Sequence, residues 1–196
     1  MKVIFEEKFT SQLKDGWGWE HEEPSAWKVE AGVLYLRTLP GSLWAGSNNA
    51  HNFLLRPLDD FSAGVTTRVT VVNYPQEMGE QAGLIWYHDD DNYIKFVKES
   101  LEGTEWIVLA RESGGQPELV NKVGLIAESA ELQMMLTGTT VQGQFRTSPN
   151  VEWQIVGECP LVTADAPRVG VFTHGCPADD ERWAELKDFA VLVIEP

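Results

Sequence analysis

Residues 80–99 constrain this chain more than any other stretch. Two apolar-rich runs, residues 82–87 and 93–97, flank a polar knot, His88-Asp89-Asp90-Asp91-Asn92. Asp and Asn side chains hydrogen-bond their own backbone and tolerate left-handed conformations, so the knot is a turn. Two runs joined by a short polar turn predict a β-hairpin. Alternation puts Leu84 and Trp86 on one face of the first strand, and Ile85 and Tyr87 on the other. On the return strand Ile94 and Phe96 share one face, and Tyr93, Lys95 and Val97 the other. One face is apolar enough for a core. The other mixes aromatic, charged and polar groups and is the candidate working surface.

The rest of the chain repeats this grammar. Short extended runs recur between turns rich in Gly, Pro, Asn and Asp, as in Trp27-Lys28-Val29-Glu30, Ala31-Gly32, then Val33-Leu34-Tyr35-Leu36. Residues 65–72 form a long β-branched strand, with a turn before it at residues 59–64. Further strands are expected at residues 106–111, 119–123, 131–137, 139–147, 152–157 and 167–174. A polar loop, with one helical turn around Arg182-Trp183-Ala184, leads to a last strand at residues 188–194. No amphipathic helix of useful length, internal repeat or linker interrupts the series. The expectation is an all-β chain, an antiparallel two-sheet sandwich, in one domain over residues 1–196.

Charge narrows the partners. Asp and Glu number 30 against 15 Lys and Arg, a formal charge of -15. A nucleic acid or an anionic membrane would be repelled, and no basic cluster offsets this locally. The opening Met1-Lys2-Val3-Ile4-Phe5-Glu6-Glu7 lacks the apolar stretch of a signal peptide, and no run reaches membrane-spanning length. Two cysteines, Cys159 and Cys176, make no disulfide framework. A soluble, cytoplasmic protein is the expectation. The chain holds 8 Trp, more than its 4 Tyr, and flat amphipathic rings suit stacking on sugar faces as well as core packing.

Three segments carry a family resemblance. They are Trp27-Lys28-Val29-Glu30-Ala31-Gly32-Val33-Leu34, Gln81-Ala82-Gly83-Leu84 and Asn92-Tyr93-Ile94-Lys95, with Phe5 to Phe9 and Asp188-Phe189 as terminal strands. This pattern resembles the concanavalin A-like jelly-roll domains related to the C-terminal sandwich domain of β-xylosidases. The resemblance implies two curved sheets whose concave face often carries a carbohydrate groove. It supplies no catalytic residue set. Such jelly-roll modules often hold a structural calcium between first and last strands, and Glu7 and Asp188 stand at the matching places.

The ligand-binding candidates follow from strand parity. With Leu84, Ile94 and Phe96 turned to the core, Gln81, Tyr87, Tyr93 and Lys95 face the groove, while the face of Trp86 depends on register. Trp44 and His51 lie on a loop that can overhang that face, and Trp106 opens the adjacent strand. Glycoside hydrolysis needs two carboxyl groups roughly 5 Å or 6.5–9.5 Å apart. Glu80 and Glu99, flanking the hairpin, are the best acid pair on offer. The Asp89-Asp90-Asp91 tip lacks the Gly and distal Glu of a calcium loop. His174 and Cys176 are two zinc-ligand types without partners at a recognisable spacing, and no nucleophile elbow or phosphate loop occurs. Three functions stay open: a non-catalytic binder of small oligosaccharides, a glycan-active enzyme using carboxylates or His51 and His88, and a scaffold or homo-oligomer with no small ligand.

Overall fold

The computed structural model describes residues 1–58, 64–163 and 165–193. The strands, in chain order, are β1 (Lys2–Glu7), β2 (Gly18–Glu20), β3 (Trp27–Glu30), β4 (Val33–Arg37), β5 (Leu43–Trp44) and β6 (Ser47–Asn48). They continue with β7 (Phe53–Pro57), β8 (Val65–Val72), β9 (Gln81–Asp89), β10 (Asn92–Leu101), β11 (Thr104–Ser113) and β12 (Gln116–Gly124). The last five are β13 (Ser129–Thr137), β14 (Thr140–Arg146), β15 (Gln154–Pro160), β16 (Arg168–His174) and β17 (Trp183–Val193). Among the described residues the only helical element is a 3-10 turn, Pro24–Ala26, and no helix is long and apolar enough to cross a membrane.

Two antiparallel sheets form a sandwich. One has the order β15-β14-β13-β8-β17-β4-β3, with β1 pairing the far half of β17. The other has the order β12-β11-β10-β9-β16-β7-β2. Between them, Leu84, Trp86, Ile94 and Phe96 from the second sheet meet Leu34, Val69, Leu132 and Leu186 from the first. Each side chain of this size removes about 1.5–3 kcal/mol of apolar exposure when fully buried. The period-2 pattern of residues 81–99 is what seats them, and the pairing of Lys95 with Ile85 and Glu99 with Gln81 fixes the register.

The acidic knot is a turn held by its own side chains. The Asp91 amide and the Asn92 side chain both donate to Asp89 Oδ1 at 2.9 Å. Two sequence expectations shift. Residues 182–184 form no helical turn, because Trp183 already pairs with Arg37 at the start of β17. The last strand therefore begins five residues earlier than its apolar run, and bulges where Asp188 takes a φ of 54°. The turn expected at residues 59–64 lies, apart from Gly64, outside the described residues.

A second apolar cluster decides where a ligand can sit. Phe53, Ile85, Tyr87, Tyr93, Val97 and Phe172 point out of the second sheet, away from the sandwich interior. Leu43 of the small β5–β6 hairpin and Ala50 just after it descend on them. This is why β9 and β10 are buried on both faces along most of their length. The hairpin covers part of the outer face and leaves the rest hollow.

Candidate functional site

The hollow is a cavity of about 240 Å³ beside the β5–β6 hairpin. Its floor comes from alternate residues of three neighbouring strands: Gln81 on β9, Lys95 and Glu99 on β10, Val108 and Ala110 on β11. Trp44 and Ser42 roof it, and His174, the last residue of β16, closes one side. His174 is paired with Gln81 across the sheet, so strand register alone brings the two polar groups together.

These polar groups are buried and incompletely satisfied. His174 is 3% exposed, and neither ring nitrogen finds a hydrogen-bond partner within the protein. Burial, and secondarily the nearby Lys95 charge, pushes its pKa well below the ordinary histidine value, so the ring is neutral: one donor and one acceptor. Gln81 spends its amide nitrogen on the Gly79 carbonyl at 3.0 Å and Glu99 Oε1 at 3.1 Å, leaving its Oε1 without a partner. Lys95 donates to the Leu43 carbonyl at 3.3 Å and lies 4.8 Å from the centre of the Trp44 ring. Desolvation lowers its pKa to about 8 against the pull of Glu99 and Glu112. Burial raises that of Glu99, with Lys95 opposing. A buried polar atom without a partner costs about 1–3 kcal/mol. Three such atoms, on His174 and Gln81, around one hollow can take hydroxyl or amide groups as partners.

The sequence candidates divide. Gln81, Lys95, Glu99 and Trp44 line the cavity together. Trp86 does not: it lies in the sandwich interior, its indole donating to Thr67 Oγ1 at 2.8 Å, because it shares parity with Leu84. Tyr87 and Tyr93 sit on the outer face as expected, yet under the hairpin. The Tyr87 hydroxyl donates to Asp90 at 2.7 Å, and the Tyr93 hydroxyl lies 2.8 Å from both the Leu43 carbonyl and Glu112 Oε2. Their hydroxyls brace the fold and do not reach the cavity. Trp106 is outside the cavity lining, donating to the Leu101 carbonyl with Lys122 over its ring. His51 is exposed and lines no part of it, and His88, on the opposite parity, contacts Thr163.

The acid pair also separates. Glu80 precedes Gln81 by one residue, so it points to the other face, where Arg182 holds it at 2.9 Å. Only Glu99 of the two faces the hollow. The calcium expectation meets similar geometry. Glu7 accepts from the amides of Phe9 and Lys14 and the indole of Trp17, so its oxygens already face N–H donors. Asp188 pairs with Lys8 at 2.9 Å. Among the described residues no group of three His, Cys, Asp or Glu side chains is placed to hold a metal ion. Glu7 and Asp188 do not form a fit for calcium.

His174 is absent from the sugar-site candidates that strand parity supplies. The signal for it is its place at the end of an alternating run, where it shares a face with the outward-turned Phe172.

Fold and cavity together can be set against known proteins. Residues 6–175 match the model of the family described as the β-xylosidase C-terminal concanavalin A-like domain. The chain belongs to this family. Among solved structures, it is similar to the GH43 protein BlXynB from Bacillus licheniformis at 18% identity, with a TM-score of 0.85 over 96% of this chain. It is similar to a xylan β-1,4-xylosidase from Bacillus halodurans at 19% identity, TM-score 0.81, over 97%. In each case the match spans 39% of the longer protein. A functionally unknown protein from Saccharomyces cerevisiae matches over 92% of this chain and 98% of its own length, at 17% identity and TM-score 0.77. At such identities the likeness is one of fold. No curated protein matches the chain.

Proposed function

We propose that this family member binds a small, neutral, hydroxyl-rich ligand of the sugar class in the cavity beside the β5–β6 hairpin, without acting on it. The observation that carries this is the pairing, around one hollow, of buried unpartnered polar atoms on His174 and Gln81 with an apolar and aromatic wall of Trp44, Val108 and Ala110. A sugar ring has the same division, hydroxyls at its edge and C–H groups on its faces. At about 240 Å³ the cavity falls below the roughly 300–1,000 Å³ of clefts for drug-sized ligands. It suits one ring, not a polymer.

Binding without chemistry is supported by the carboxylates. Hydrolysis of a glycosidic bond takes two carboxyl groups flanking it. Glu99 alone lines the cavity, while Glu112 is fully buried and engaged by Tyr93 and by the Ala45 amide. The family's β-xylosidase name agrees with a sugar ligand.

The test is calorimetry and tryptophan fluorescence against a panel of neutral monosaccharides and disaccharides, with Trp44→Ala and Gln81→Leu alongside. Binding by the parent chain, weakened at least tenfold in both variants, is the expected result. Release of product from any of the disaccharides would replace the binding role with an enzymatic one. Failure of the whole panel to bind would overturn the sugar reading.

A further inference from the structure

A second cavity, of about 340 Å³, adjoins the first, and Ser42, Met78, Gly79 and His174 line both. The two differ in character. The floor of the inner one is made of buried side chains, Gln81, Lys95, Glu99, Val108 and Ala110, whereas Pro40 and Glu77, which line only the outer one, are exposed. The outer wall is also built from backbone. Gly41 at φ 123° and Gly175 at φ 100° leave no room for a side chain: a Cβ would come within 2.5 Å of the Asn49 carbonyl oxygen in one case and 2.7 Å of the Gly79 carbonyl oxygen in the other. Between the two spaces stands His174, with two ring nitrogens and a partner for neither.

Resting on the sugar-binding reading above, we propose that the two cavities are compartments of one site, and that its ligand is two linked sugar units, one in each, with His174 beside the linkage. A neutral imidazole offers a donor and an acceptor on opposite edges of the ring, which matches one hydroxyl from each unit. Tethering the second unit to the first makes its binding intramolecular, so a modest outer contact raises affinity strongly. Glu77 at the outer compartment turns away units carrying a carboxylate. The class is therefore a neutral disaccharide, or such a unit within an oligosaccharide.

The experiment titrates the full chain with two length series, xylose, xylobiose and xylotriose, and glucose, cellobiose and cellotriose. In the series that binds, affinity rises at least tenfold from one unit to two, and less than twofold from two to three. Glu77→Arg, and separately Pro177→Trp, fill the outer compartment without touching the inner one. Both are expected to bring the disaccharide down to the monosaccharide's affinity while leaving the monosaccharide unchanged. A monosaccharide that binds as tightly as the disaccharide overturns the two-compartment proposal and spares the sugar reading. So do outer variants that weaken both ligands equally. Absence of binding in both series, with the broader panel also silent, removes the two together.

Discussion

Lys95 ties stability to the proposed binding in one residue. The residue is 3% exposed, and its ammonium meets the Leu43 carbonyl, the Trp44 ring and the charges of Glu99 and Glu112. In the unfolded chain it titrates near 10.5, and in the folded protein near 8. Below pH 8 both states hold the proton. Between the two values the unfolded chain binds more protons than the folded one, so stability rises with pH across that window. The full gain is of order 3 kcal/mol. Urea unfolding of the parent chain should show this rise between pH 8 and 10.5, and Lys95→Met should lack it. Sugar affinity should move the other way, falling above pH 8 as the ammonium donor is lost. An affinity flat through that range would remove Lys95 from the contact. The neighbouring Glu99 could be read from sequence as outward-facing, since alternation decides it; its company could not. Which groups meet His174 depends on β9 lying beside β16, and that pairing joins residues about ninety positions apart in the chain.

At the scale of elements, the β5–β6 hairpin sets the site. Sequence alternation fixed which face of β9 and β10 each residue takes, because a one-residue slip would move every side chain across. The loop at residues 39–52 is expected to overhang the outer face through Trp44 and His51, but alternation does not reveal that it also packs on Tyr87 and Tyr93 and takes them out of the site. Local propensity cannot show this, since what seats the hairpin is a distant apolar cluster. The hairpin's anchor is testable. Tyr93→Phe removes the hydroxyl shared by Leu43 and Glu112, at a cost of about 1 kcal/mol. Faster amide hydrogen exchange at residues 43–50, with little change in β13 or β14, is the expected signature. The strand pairing beneath is less forgiving. A Cβ on Gly170 would lie 1.9 Å from the Leu54 carbonyl oxygen, so Gly170→Ala must push β7 and β16 apart. Loss of about 1–3 kcal/mol or more is expected, read as a lowered midpoint in thermal unfolding. Wild-type stability in that variant would mean the two strands approach less closely than described.

For the whole molecule, the formal charge of -15 acts as a self-repulsion spread over 196 residues. Raising salt from about 0.01 M to about 1 M shrinks the screening length from about 30 Å to about 3 Å. The melting temperature should rise by about 2–4 °C for each kcal/mol of repulsion relieved. Reductant should have no effect on it, because Cys159 and Cys176 are both free and buried. The placement of β17 has a practical consequence. Arg182, just ahead of it, grips Glu80 next to the cavity wall, and the strand then runs 11 residues, about 30 Å, to Val193 opposite Lys2. Beginning and end of the described chain thus lie side by side at the pole remote from the hollow. A surface tether or a fluorophore attached at either one leaves the mouth facing free solution.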